Sequence, residues 1–136
     1  MNRPNELQTL DFKECLPLLR TQAFGRLVFT EQALPAIRLV NYSLHNGQIA
    51  LRLGRSPWVP RLDRTVVAFE VDDIDKEAHT GWSVVVIGKA RLVLDIDELV
   101  TLSDPSTRSW VPGPRDQVLC VDMEQVTGRR LRLVEH

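Results

Sequence analysis

The strongest constraint in this sequence is a succession of short β-rich runs with turn residues between them. Phe24–Thr30, Ala36–Leu44 and Gln48–Leu53 follow one another, separated only by Glu31-Gln32-Ala33-Leu34-Pro35 and by His45-Asn46-Gly47. Asn-Gly tolerates the positive φ of a tight hairpin, so the second and third runs are expected to pair antiparallel. Within Gln48–Leu53, Ile49, Leu51 and Leu53 share one face and Arg52 points to the other. Thr65–Asp72 alternates in the same way, with Val67, Phe69 and Val71 opposite Glu70 and Asp72. Trp82–Leu94 is a longer run, apolar on both faces through Val84-Val85-Val86-Ile87, in which Gly88 marks a bulge or bend. Gln117–Gln125 is a sixth run, and Thr127-Gly128 turns into a last short strand carrying Leu131 and Leu133. Consecutive strands joined by tight turns argue against βαβ repeats. Six or seven such runs in roughly 110 residues point to a small antiparallel barrel, because closure removes exposed edges.

Helices are a minor component. Asp11 with Glu14 three residues later reads as an N-cap close to a capping box, and Phe12, Cys15, Leu16 and Leu19 follow on one stripe. Pro17 interrupts that stripe, which predicts a short or late-starting helix. Asp95–Ser103 is expected to be a second helix. The segment Gly54–Asp63 reads as a loop or a short helix, with Pro57 suited to a first helical turn. Asp104–Asp116 holds three prolines and a glycine and reads as an irregular loop. At 136 residues the chain is expected to be one domain over 11–136, preceded by a polar tail over 1–10.

Several function classes drop out. Seventeen Lys+Arg balance 18 Asp+Glu, so there is no basic excess to neutralise nucleic-acid phosphates. No apolar run approaches the roughly 20 residues of a membrane-spanning helix, and the N-terminus is polar, so a cytoplasmic location is expected. Cys15 and Cys120 stand alone and are read as buried, reduced thiols; the functional alternative is a redox pair. His45, His79 and His136 have no metal-ligand spacing, and no metal site is expected. No catalytic motif is present, so no catalytic residue is assigned.

Three weaker features remain. Gly54-Arg55-Ser56 after strand-borne Arg52 could cradle a phosphate, although such turns are most often merely solvated. The acidic run Glu70–Asp75 reads as a strand end facing water, with cation binding as the alternative. Trp58, Trp82 and Trp110 lie at or near loops, where they serve either as platforms for a flat ligand or as plugs closing a barrel end.

Four blocks, in order, resemble the pyridoxamine 5′-phosphate oxidase-like proteins, in the short bacterial subgroup related to nitroimidazole reductases. They are Cys15-Leu16-Pro17-Leu18-Leu19 with Phe24-Gly25-Arg26-Leu27-Val28-Phe29, and Val40-Asn41-Tyr42 with its Asn-Gly hairpin. Phe69-Glu70-Val71-Asp72 with Gly81 through Ala90 is the third, and Trp110-Val111-Pro112-Gly113 through Thr127-Gly128-Arg129-Arg130 is the fourth. The resemblance covers about residues 11–132. It implies a mainly β fold: a six-stranded antiparallel split β-barrel with one N-terminal helix and one or two short helices. It also implies a homodimer that binds FMN at the subunit interface and acts as a flavin-dependent oxidoreductase on a small molecule.

The same resemblance implies the site. The flavin phosphate falls to Arg52, Leu53 and Ser56, and the strand holding Leu39, Val40 and Asn41 runs beside the isoalloxazine, mainly through backbone groups. Trp82 and Ser83 are expected near the cofactor, and the loop from Trp110 to Arg115 is expected to reach the partner's site. Two positions depart from the family pattern: Leu53 replaces a hydroxyl, and Pro57 replaces a lysine whose charge Arg55 or Arg61 would have to supply. The alternative function is therefore a barrel that has lost flavin and serves as a binding module, or one that takes a deazaflavin or haem.

Overall fold

The computed structural model describes residues 6–102 and 117–132. Its elements are β1 (Glu6–Leu10), α1 (Phe12–Leu19), β2 (Phe24–Glu31), β3 (Leu34–His45), β4 (Gln48–Leu53), α2 (Trp58–Arg61), β5 (Val66–Asp75), β6 (Thr80–Leu92), α3 (Ile96–Leu102), β7 (Gln117–Asp122) and β8 (Gln125–Arg132). All strand pairings are antiparallel. The sheet runs β1-β8-β6-β5-β2-β3-β4-β7, and β7 returns to β6. Six strands thus close a ring, as the sequence pattern and the resemblance together imply, and β8 and β1 extend it.

The split lies in β6. Thr80–Ile87 pairs with β8, while Ala90–Leu92 pairs with β7 along the same edge. Gly88 stands where the two partners part. A Cβ there would lie 1.7 Å from the Asp122 carbonyl oxygen, so only glycine admits that approach.

Two expectations are corrected. The segment 1–10 is not wholly a tail, because Glu6–Leu10 is a strand with Leu10 paired to Gly128. Glu6-Leu7-Gln8-Thr9-Leu10 is short and largely polar, and its partner is more than a hundred positions away, so no local signal marks it. The connection expected over Asp73–Gly81 is instead a long hairpin: β5 continues to Asp75 and β6 starts at Thr80. Asp75 holds its turn by accepting from the backbone N–H groups of Glu77 and Ala78, at 3.0 Å each.

Alternation puts Leu27, Ile49, Leu51, Phe69, Val71, Val84, Val86, Leu119 and Val121 inside the ring, all fully buried. Tyr42 packs edge-on to Phe69, and its hydroxyl donates to the Leu19 carbonyl, tying α1 to the barrel. The α1 helix starts on the expected capping box: Glu14 N–H donates to Asp11 at 2.8 Å and Asp11 N–H to Glu14 at 3.2 Å. It runs through Pro17, which is exposed and costs one backbone bond on the solvent side. Cys15 presses against Gly128, where a Cβ would meet its sulfur at 2.4 Å. A second small core, Ala50, Val93, Leu102, Val118 and Cys120, lies outside the ring beneath α3. Among the described residues, no helix is long and apolar enough to cross a membrane.

Candidate functional site

Strand register sorts the expected site residues onto two faces. Directly paired residues share a face. Phe24 pairs with Asn41, Asn41 with Arg52, and Arg52 with Val118, so one row crosses the outer face of β2, β3, β4 and β7. Leu39 belongs to the same face one step along, opposite Arg26, and Ile37 lies opposite Val28. Val40 and Leu53 alternate with these positions and are buried in the core.

The outer face is unusually apolar for a surface. Phe24, Ile37 and Leu39 are 58%, 59% and 71% exposed, and they are neighbours by register. Contiguous apolar surface of this kind is characteristic of ligand or partner contacts. The Asn41 amide is held by the Ala23 carbonyl at 2.8 Å, which fixes the strand beside Phe24.

Arg52 follows Asn41 in the row, one strand before Val118. It is only 3% exposed, and its guanidinium donates to the Leu102 carbonyl at the C-terminal end of α3. A cation there is favoured by the partial negative charge of the helix C-terminus. The α3 helix is held in turn by a two-pronged Arg91–Glu98 ion pair, both contacts at 2.8 Å, which lowers the Glu98 carboxyl below its usual range. Arg52 is thus a buried, oriented positive charge on a planar guanidinium. Beyond it, Ser56 is half-buried and its N–H reaches toward the Gln117 side chain at 3.4 Å. Arg55 and Arg61 flank it, exposed.

Trp82 and Ser83 are adjacent in sequence and therefore point to opposite faces of β6. Ser83 is on the outer face, paired with Asp72, whereas Trp82 faces the other way and is 8% exposed. The structure does not bring both to one surface. Trp58, for its part, plugs a barrel end: it stacks on Phe29 at 4.9 Å, and Arg38 lies over both rings. Trp110 and Arg115 lie outside the described residues.

Sequence reasoning missed a charged trio on the apolar face. Arg26 bonds Glu70 and Asp72, both at 2.8 Å. Burial first, and neighbouring Asp72 second, hold the Glu70 carboxyl above its usual range, with Arg26 pulling the other way. The signal was present in the parity: Arg26, Glu70 and Asp72 all fall on the outward positions of their strands. Cys15 and Cys120 are free and buried, and burial pushes the Cys120 thiol up to about 11, away from reactivity. No metal-holding cluster occurs among the described residues.

The family model for pyridoxamine 5′-phosphate oxidase matches residues 11–130. The chain belongs to the pyridoxamine 5′-phosphate oxidase family. Within reach of this family chain stands an uncharacterized protein of Mycobacterium tuberculosis, 39% identical over 132 residues, covering 93% of this chain and 86% of the relative. A solved FAD-binding protein from Mycobacterium smegmatis is 34% identical, covers 91% of this chain and 97% of its own, and superposes with a TM-score of 0.72. A FAD-binding protein from Mesorhizobium loti, 19% identical with a TM-score of 0.72, covers 94% of this chain and 98% of its own and shares the fold. Both of these neighbours bind FAD, whereas the resemblance implied FMN.

Proposed function

We propose that this family member binds a flavin on the outer face of β2–β4, at the contact with a second copy of the chain, and works as a flavin-dependent oxidoreductase. The observation that carries this reading is the row Phe24–Asn41–Arg52, an apolar bed ending in a buried guanidinium. A flavin needs that pairing: a flat surface for its ring system and positive charge for its phosphate. The family membership and the FAD-binding relative at 34% identity support it.

The residues present fit the ribityl phosphate shared by FMN and FAD. Arg52 supplies the oriented charge and Ser56 a hydroxyl, and exposed Arg55 supplies the charge that Pro57 lacks. Leu53 faces the core, so its missing hydroxyl is not missed on the outer face. Leu39 and Asn41, with the backbone of Val40 between them, line the ring. Ser83 lies on the same outward side of the sheet as the trio and is offered to the contact between copies. Trp82 leaves the flavin site in this reading. The bound flavin would supply the redox chemistry; the chain binds it, orients it and excludes water through the second copy.

The purified protein should show flavin absorbance, and mass spectrometry of the released molecule should separate FMN from FAD. Arg52→Ala should weaken flavin binding by about 1.5–3 kcal/mol, the scale of a charged hydrogen bond, or roughly ten- to a hundredfold. Thermal melting of the flavin-free variant separates that effect from loosening of α3. A colourless protein that ignores both added flavins would overturn the reading in favour of a binding module.

A further inference from the structure

On the other face of the same sheet, the register builds a second polar row system. Asp73 pairs with Trp82 and Trp82 with Arg130; Asp75 pairs with Thr80 and Thr80 with Arg132. These residues, with Gly81 and Leu131, line a cavity of about 320 Å³, which is within the size range of small-molecule sites. The α1 helix covers this face at the Gly128 row, and the cavity opens just beyond it, where β6 pairs with the end of β8.

Its charges are segregated. Both carboxylates stand on β5 and both guanidiniums on β8, with β6 between them. Two strand spacings of about 4.8 Å put the two sets roughly 10 Å apart at the backbone. No ion pair joins them among the described residues, whereas on the opposite face Arg26 pairs with both Glu70 and Asp72 at 2.8 Å. Trp82, registered between the two ends, lines the cavity and is sunk to 8% exposure, an apolar surface between the charges. Opposite charges held apart over an aromatic surface match a ligand whose own charges are held apart by an apolar spacer.

We propose that this pocket binds a small amphoteric molecule, its oxyanion end at Arg130 and Arg132, its ammonium end at Asp73 and Asp75, and its apolar middle on Trp82. The site is on the opposite sheet face from Phe24, Asn41 and Arg52, so it stands whether or not the chain holds flavin.

The probe is 6-aminohexanoate, with hexanoate and hexylamine as single-charge controls. The readout is the Trp82 indole N–H signal in heteronuclear NMR, assigned with Trp82→Phe. The expected result is a saturable shift at millimolar 6-aminohexanoate and none with either control at the same concentration. Arg130→Ala should weaken the effect about tenfold, the scale of one charged contact. Asp73→Asn, an exposed change that leaves the Asp75 turn intact, should weaken it similarly and serves if the arginine variant misfolds. No shift, or an equal shift with hexanoate or hexylamine alone, overturns the proposal.

Discussion

The two faces of β2 and β3 are made from alternate residues of the same strands, yet they obey different rules. Inside the ring, Leu27, Val40, Tyr42 and Phe69 interlock with almost no exposed surface. Outside, Phe24, Ile37 and Leu39 are as apolar but stand largely in water, around the Arg26–Glu70–Asp72 trio. The interior is complete within one chain; the exterior exposes large apolar side chains beside its charged trio, with no cover among the described residues. The difference teaches that burial within one chain accounts for the first face and not for the second, which is the face the proposed second copy would cover.

The largest effects should separate the faces by stability. Phe69→Ala would open a cavity beside Tyr42 and should cost about 3–5 kcal/mol in urea unfolding. Phe24→Ala on the outer face should change the stability of the monomer by no more than about 0.5 kcal/mol. Similar losses at the two positions would erase the distinction.

Association should report the opposite ranking. Ile37→Asp with Leu39→Asp places charge in the apolar patch while leaving the core untouched. A dimer at micromolar concentration should become a monomer by light scattering, with unfolding nearly unchanged. A wild-type monomer under those conditions would remove the second copy from the outer face.

The smallest effect concerns the trio. Glu70 has a raised folded-state pKa, so its protonated form is favoured by folding. That contribution is fully present below the unfolded value of about 4.3 and fades as pH rises through the folded value. The stability of Glu70→Gln relative to the wild type should therefore climb as pH increases across that window, read from urea midpoints between acid and neutral pH. A flat difference would show that Arg26 cancels the burial of the carboxyl.

Much of this was legible beforehand where the signal was local. The Asn46-Gly47 hairpin, the Asp11–Glu14 capping box and the parity of Ile49, Leu51 and Leu53 are statements about neighbours in sequence, and each took its expected form. Strand β1 was not legible, because its pairing with β8 is the most distant in sequence among the described strands. The candidate residues could be named from the sequence, but the faces they occupy could not. Leu39, Asn41 and Arg52 came together, while Val40 and Leu53 turned inward and Trp82 parted from Ser83. Resemblance carries residues over one by one, but the pleat then deals successive residues to opposite faces.

The sequence by itself determined that this chain is a small, mainly antiparallel β protein of the pyridoxamine 5′-phosphate oxidase family, because alternation, turns and motif order are written along the chain. Only the tertiary structure decided that Arg52 is buried on the Leu102 carbonyl at the end of the Phe24–Asn41 row. It alone also decided that Asp73, Trp82 and Arg130 share a pocket on the other face. Those neighbourhoods depend on how strands far apart in sequence are registered against one another, and register is set by the packing of the whole ring rather than by any one strand.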